Sequence, residues 1–512
     1  MGDWGEGYTS DDDYVAGYHS ELSPSRIKLA FVASGLRFPE IGNACELGFG
    51  QGLSTNYHAS ASLVNWSGTD FMPSQVAWAK DLSDISGTPL SFFDDSFKEF
   101  VERDDLPEFD FIAMHGVWSW VSAENRECIL ELIRKKLKVG GVVYLSYNTF
   151  PGWSGFAPVR QLLIEHANKI SSNTSSSRYK IGEAVDFADD VLSVSPQFTL
   201  SYPAAKNYFK KMKTMGTAYL AHEYLNLEWQ PMYFSEVKDL LSTVKLEFAC
   251  SATLTDLINR INFSEDQIKM LEQYPTPEMK ETLRDFFVNQ RFRKDYWVKG
   301  RRKLSNKEQL NHWRAMSVIL TKPISEISFS FNTTAGKLKL DKLIYQKILN
   351  ALSSYQVTSL GQLEIDLASD GVSFSDLSEA IVILFEFNAI GLAQNSEVVD
   401  KVKSRCALLN HYLIERNIEY SNLHHVVSPV IGGGISLDPI AQRFLSFYQE
   451  ETQDEDQLAK SVWSELKRLG QVMKSNDGKL LKTEQSNLER IRELSEVFIK
   501  ETLPLLKAHL II

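Results

Sequence analysis

Residues 44–58 read ACELGFGQGLSTNYH. A short apolar run ends in three alternate glycines, Gly48, Gly50 and Gly52, and an amphipathic stretch follows. Glycine at this density marks backbone that adopts positive φ or passes close to another group. Three ligands compete for a strand–glycine turn–helix unit. A P-loop requires GxxxxGK[ST], and no lysine follows here, which excludes a nucleoside triphosphate. A dinucleotide fingerprint requires a third glycine three places after the second. From Gly50 that place is Leu53, and the glycine comes one place early, at Gly52. A third ligand, another cofactor, or a turn that serves only the chain's own packing, remains.

Working outward, short strand-like runs at 44–47, 66–71, 90–93, 109–115 and 142–148 alternate with amphipathic stretches, the pattern of a parallel α/β sheet. Gly140-Gly141 is expected to end the helix before the fifth run. Residues 153–225 are helical in character and broken by the polar SSNTSSSR at 171–178, so they read as a helical insertion. MYFSEVKDLLSTVKLEFACSA, from Met232, is one more helix–strand unit, and FRKDYWVKG (292–300) is a closing strand. This gives a sheet domain over 1–305. A hairpin in ISFSFNTTAGKLKLD, three short helices and a strand make a winged-helix-like module over 326–396. Residues 397–512 are mostly helical.

With 512 residues, 43% hydrophobic and 23% charged, the composition is that of a globular chain of several domains. No apolar run is long enough to span a bilayer, and the acidic N-terminus lacks a signal-peptide core, so a cytoplasmic location is expected. A net charge of −12 opposes nucleic acid as a partner. The basic RFRKDYWVKGRRK (291–303) could favour RNA. However, FSDLSEAIVILFEFN (374–388), where a recognition helix would lie, carries Asp376, Glu379 and Glu386, which repel phosphate. That module reads as a protein-recognition or homo-oligomerisation element. Cys45, Cys128, Cys250 and Cys406 lack metal spacing, and His424-His425 has no further ligands near it, so no metal site is expected.

A GxGxG turn preceded by an acid, here Glu46, is the first motif of class I S-adenosylmethionine-dependent methyltransferases, which this sequence resembles. The resemblance implies a Rossmann-like seven-stranded sheet and S-adenosyl-L-methionine as cofactor. Asp70 ends the second strand about twenty residues on, where an acid takes both ribose hydroxyls. Asp95, followed by the small Ser96, ends the third strand, where the adenine amino group is read; Asp94 is the alternative. HGVWSWV ends the fourth strand, placing His115 over the cleft and Trp118 and Trp120 near its rim.

Longer stretches resemble bacterial methyltransferases with a so-called regulatory domain, which include rickettsial outer-membrane-protein lysine methyltransferases. CELGFGQG, FDFIAMHGVWSWVSAENR, LKVGGVVYLSYNTFPGW, TAYLAHEYLNLEWQPMYFSEV and FRKDYWVKG carry the resemblance over about residues 40–300. It implies cofactor binding by Glu46–Gly52, Asp70, Asp95 and His115 and leaves the acceptor open, for which a protein lysine is expected. In SYNTFPGW, Tyr147 and Asn148 are then expected to orient the acceptor while Trp153 walls the site; the alternative is that Asn148 and Pro151-Gly152 only build a turn. Tyr8, Tyr14, Tyr18 and His19 are candidates for a lid, and Glu223 and Tyr224 for an acceptor-binding cap. A small-molecule O- or N-methyltransferase, or a cofactor-binding regulator without turnover, are the competing functions.

Overall fold

Seven strands form one sheet: β1 (Asn43–Leu47), β2 (Asn65–Thr69), β3 (Leu90–Phe93), β4 (Phe109–Met114), β5 (Leu137–Asn148), β6 (Leu246–Ser251) and β7 (Phe292–Lys299). Their order is β3-β2-β1-β4-β5-β7-β6. The computed structural model describes residues 17–172, 175–333, 336–420, 423–449 and 454–512. β1 to β5 are parallel, and β7 lies antiparallel between β5 and β6, so FRKDYWVKG closes the sheet as expected. The order reverses between β1 and β4, which opens a crevice at their carboxyl ends.

Helices α1 (Pro24–Ala33), α2 (Leu53–Ser60), α3 (Pro73–Ser86), α4 (Phe97–Glu102) and α5 (Ala123–Lys136) flank the sheet. Proline opens α1 and α3, where its missing N–H costs nothing. Ser96 and Ser122 cap α4 and α5 by accepting from backbone amides. The glycine pair does not end α5. That helix stops at Lys136, and Gly140, at φ +87°, sits inside β5. Pairing there jumps from Phe109 opposite Leu137 to Phe111 opposite Val142. The extra residues form a bulge, and Lys138 uses it to reach Asp110 at 2.9 Å.

Strand alternation divides the core between the two faces. Phe111, Tyr144 and Tyr296 pack with α1 on one side, while Ile112, Leu145, Tyr147 and Trp297 pack with α5 on the other. The first face is continuous with the module that follows. There β8 (Ser317–Leu320) is the centre of a small sheet; it is followed by a hairpin of β9 (Ser330–Thr333) and β10 (Gly336–Lys339), and flanked by β11 (Thr358–Ser359) and β12 (Ile390–Leu392). Its central strand thus precedes residue 326, because a four-residue strand leaves too short a pattern to read. The helix Phe374–Glu386 is a packing element, not a groove-reading one. Leu377, Ile381 and Leu384 are buried, Glu386 pairs with the buried Arg26, and Glu379 pairs with Arg260.

The helix Ser396–Tyr420 packs against α2 and α3, with Arg405 donating to the Ser62 carbonyl at 2.8 Å. After it come β13 (His425–Ser428) and β14 (Gly433–Ser436). In VVSPVIGGGISLD, side chains at Gly433 and Gly434 would strike the sheet domain. A Cβ on Gly433 would stand 2.6 Å from the Tyr18 hydroxyl, and one on Gly434 3.1 Å from Tyr57. The helices beyond build a separate core around Leu445, Val462, Ile491 and Leu506. Among the described residues, no helix is long and apolar enough to cross a membrane.

Candidate functional site

The crevice holds a cavity of about 190 Å³, lined by residues from the ends of β1 to β4 and the turns after them. Gly48, Gly50 and Gly52 all have positive φ, at 66°, 57° and 64°. They differ in what they face. A Cβ on Gly48 would meet Val117 at 2.6 Å and one on Gly52 would meet Ala79 at 2.6 Å, whereas one on Gly50 would find nothing nearer than Gln75 at 3.9 Å. Two of the three glycines therefore let chain approach chain, and Gly50 alone presents open backbone to the cavity.

Asp70, in the turn after β2, fixes that backbone. Its Oδ2 accepts from the Gly50 amide at 2.8 Å and its Oδ1 from the Met72 amide at 3.1 Å. Glu46, in β1, accepts a hydrogen bond from the Thr55 hydroxyl on α2. Burial pushes Glu46 up to about 8, with Thr55 pulling down and the Asp70 charge adding to the rise. Burial pushes Asp70 up to about 6 against the Met72 and Gly50 amides. Both folded values lie above those of the unfolded chain. Their contribution to stability is therefore complete only at acid pH and is lost as pH rises through 6 and then 8. Melting temperatures of the unliganded protein should fall between about pH 5 and 8.5, and Glu46→Gln should flatten the upper part of that curve. A profile unchanged by the substitution would show that Glu46 is not the titrating group.

Asp95 and Ser96 line the cavity at the β3 end; Asp94 does not. The Asp95 carboxylate accepts from Arg103 at 3.0 Å, and its carbonyl accepts from the Thr69 hydroxyl. Ser96 serves the capping box of α4 with Glu99. His115 follows β4 and lies 2.8 Å from the Tyr144 hydroxyl. The His19 ring stacks on it with centroids 3.6 Å apart, so residues 17–19 form a strap across the cavity. The strap is pinned to α2: the His19 amide donates to Ser54 at 2.8 Å, and the His58 ring reaches the His19 carbonyl at 3.2 Å. Burial lowers both His19 and His115, so this stack is neutral. Tyr8 and Tyr14 fall outside the described residues.

All eight residues expected around a cofactor thus meet in one cavity. The expected acceptor trio does not. The Tyr147 hydroxyl donates to Asp295 at 2.9 Å on the opposite face of the sheet. Trp153 belongs to the core of the insertion, with its indole N–H donating to the Arg291 carbonyl at 2.8 Å and its ring edge-on to Trp229. Asn148 is buried and does not line the cavity; its backbone amide donates to the Ser119 hydroxyl at 2.8 Å, and its Nδ2 has no partner among the described residues. Trp118 is core and Trp120 lines the cavity. Tyr224 packs inside the insertion against Tyr208. Glu228, Asn125 and Phe97 line the cavity without having been singled out; no periodic or motif signal marks them.

The lining carries Glu46, Asp70, Asp95 and Glu228 and, among the described residues, no lysine or arginine. Such a surface fits hydroxyl and ammonium groups and opposes phosphate. Among the described residues no group of side chains could hold a metal ion.

Comparison with known proteins agrees with this architecture. Residues 216–299 match the family model described as "Predicted methyltransferase regulatory domain". In the fold this segment supplies β6 and β7 of the main sheet. An uncharacterised protein of Synechocystis sp. is 35% identical over 508 residues, covering 98% of each chain. An uncharacterised protein of Rickettsia prowazekii is 22% identical, covering 93% of this chain and 88% of its own. Among solved structures, that of PKMT2 from Rickettsia typhi in complex with AdoHcy matches with a TM-score of 0.70 at 18% identity, covering 97% of this chain and 99% of the other.

Proposed function

The chain belongs to the bacterial family of class I methyltransferases with a methyltransferase regulatory domain, and from that premise we propose that it binds S-adenosyl-L-methionine and methylates a protein lysine. The observation that carries the reading is the cavity itself, where Gly50 bares its backbone beside Asp70 and the described lining has four acids and no lysine or arginine. When bound, the cofactor supplies an electrophilic methyl group on a sulfonium. Gly50 and its neighbours hold the amino acid head against bare backbone, and Glu46 stands at the end of β1 to receive its ammonium. Asp70 takes the ribose hydroxyls, and Asp95 reads the adenine amino group with Ser96 leaving room beside it. His115, neutral and stacked beneath His19, walls the cavity above β4.

The acceptor approaches from the β4–β5 side, since β1 to β3 are covered by the cofactor residues. Positioning there is most of what a displacement reaction requires. Asn148 is a candidate for a positioning part there from outside the lining, because its backbone holds Ser119 and Met232 and its buried Nδ2 has no partner among the described residues. Asn148→Ala should leave cofactor affinity unchanged and lower turnover at least about tenfold; unaltered turnover removes Asn148 from the site. The function itself is tested by incubating a bacterial lysate with the enzyme and methyl-labelled cofactor. Label recovered as methyl-lysine in protein is the expected result. Label confined to small molecules or RNA overturns the lysine assignment, and tight cofactor binding without any transfer overturns catalysis.

A further inference from the structure

The β4 end of the cavity has residues that cofactor binding leaves without a role. Strand order places the glycine turn, Asp70 and Asp95 over β1 to β3. The turn Trp118–Trp120, Val121 and Asn125 close the other end. Past Asn125, the one described residue that reaches the cavity is Glu228. It arrives on the segment by which the insertion returns to the sheet. Just after Glu228 that segment is fastened twice: the Gln230 amide donates to the Ser119 carbonyl at 2.8 Å, and the Met232 amide donates to the Asn148 carbonyl at 3.0 Å. The segment that carries Glu228 is thus held by backbone bonds to the elements that follow β4 and end β5.

Among the described residues, no lysine or arginine lines the cavity with Glu228. Arg126 is the cation that feels Glu228, but its guanidinium is committed elsewhere. It donates to the Val121 carbonyl at 2.7 Å, to the Trp118 carbonyl at 3.3 Å and to the Gln230 side chain. The same lining carries the Trp120 indole, whose buried N–H has no acceptor among the described residues. A carboxylate and an indole at the rim of an acidic, lysine-free cavity suit a cation carried on an apolar stem. The carboxylate attracts the charge, and the ring takes the methylenes or the ammonium face.

We propose that Glu228 and Trp120 form the acceptor end of the cavity and select a primary ammonium on an unbranched alkyl chain, the side chain of lysine. The proposal rests on the methyl-transfer reading and adds to it the residue that chooses the acceptor by charge. Glu228 is a positioning residue, and its loss is read in acceptor recognition rather than in cofactor binding. Placement on the insertion's return segment also explains how a helical element far along the chain shares in the site.

Ligand-observed NMR titration of the full chain, saturated with S-adenosylhomocysteine, tests this. The probes are n-butylamine, protonated at about pH 7.5, and 1-butanol, a similar stem without the charge. The wild type is expected to prefer n-butylammonium at least about tenfold, and Glu228→Gln to lose that preference while S-adenosylhomocysteine affinity stays within about threefold. Glu228→Asp should keep part of the preference, which separates charge from fold. No preference in the wild type, or the same preference in Glu228→Gln, overturns the assignment of Glu228. Failure of the wild type to bind S-adenosylhomocysteine is seen first and overturns the methyl-transfer reading, and the acceptor assignment with it.

Discussion

Gly50→Val is expected to abolish measurable S-adenosylmethionine binding while the chain stays folded. The residue sits at φ +57°, where a side chain costs about 1–2 kcal/mol, and a β-branched one is the least tolerated. That cost alone is within what a large domain withstands. The side chain's other consequence is specific to the site. A Cβ at this position has no protein atom within 3.8 Å, so valine fills the cavity rather than colliding with the core. It also disturbs the Gly50 amide that holds Asp70 at 2.8 Å. Losing both contacts should weaken binding by at least about a hundredfold, or about 2.7 kcal/mol. Gly48→Val and Gly52→Val form the contrast, since their side chains strike Val117 and Ala79 and should lower the melting temperature outright. Calorimetry showing Gly50→Val with wild-type affinity would remove the cofactor from this cavity.

That contrast also shows how far the sequence could be read. The glycine turn and the acids after successive strands were legible because strand, turn and helix are adjacent in the chain and each leaves a local mark. Which glycine faces a ligand was not, because Val117 and Ala79 come from other elements. The direction of Tyr147 was legible in principle. Side chains alternate along a strand, so Tyr144, Ser146 and Asn148 share one face and Tyr147 takes the other. Trp153 and Glu228 were beyond reach for a different reason. Each depends on how the insertion folds back over the sheet, and no period of two or 3.6 records that path. His19 was a candidate from its aromatic neighbourhood, but its stack on His115 requires α2 and the C-terminal hairpin to hold the strap.

The same opposite face carries the largest effect expected on stability. Arg293, in β7, is buried and donates to three carboxylates: Asp295 at 2.8 Å, Asp285 at 2.6 Å and Glu281 at 2.7 Å. Tyr147 completes the group through Asp295, and Phe234 lies under the guanidinium at 4.6 Å. The acids outnumber the base. Burial accordingly pushes Asp285 up to about 7 and raises Asp295, with Arg293 as the main opposing influence on each. Arg293→Met keeps the stem volume and removes the charge, taking from the buried Asp285 and Asp295 the cation they share, while Glu281 keeps Arg284 at 3.6 Å. Breaking such a pair costs about 3–5 kcal/mol, which lowers the melting temperature by about 10 °C. The sign of its pH dependence follows from linkage. Without Arg293 the folded-state values of Asp285 and Asp295 rise further above those of the unfolded chain, so the variant's deficit shrinks as pH falls and the acids take up protons. Melts at about pH 6 and pH 8 should show the larger loss at pH 8. A small loss that is equal at both would mean that Arg293 is packed there rather than paired. Because β7 lies within residues 216–299, a drop of the expected size also assigns that segment a structural part in the sheet, whatever regulatory part its description implies.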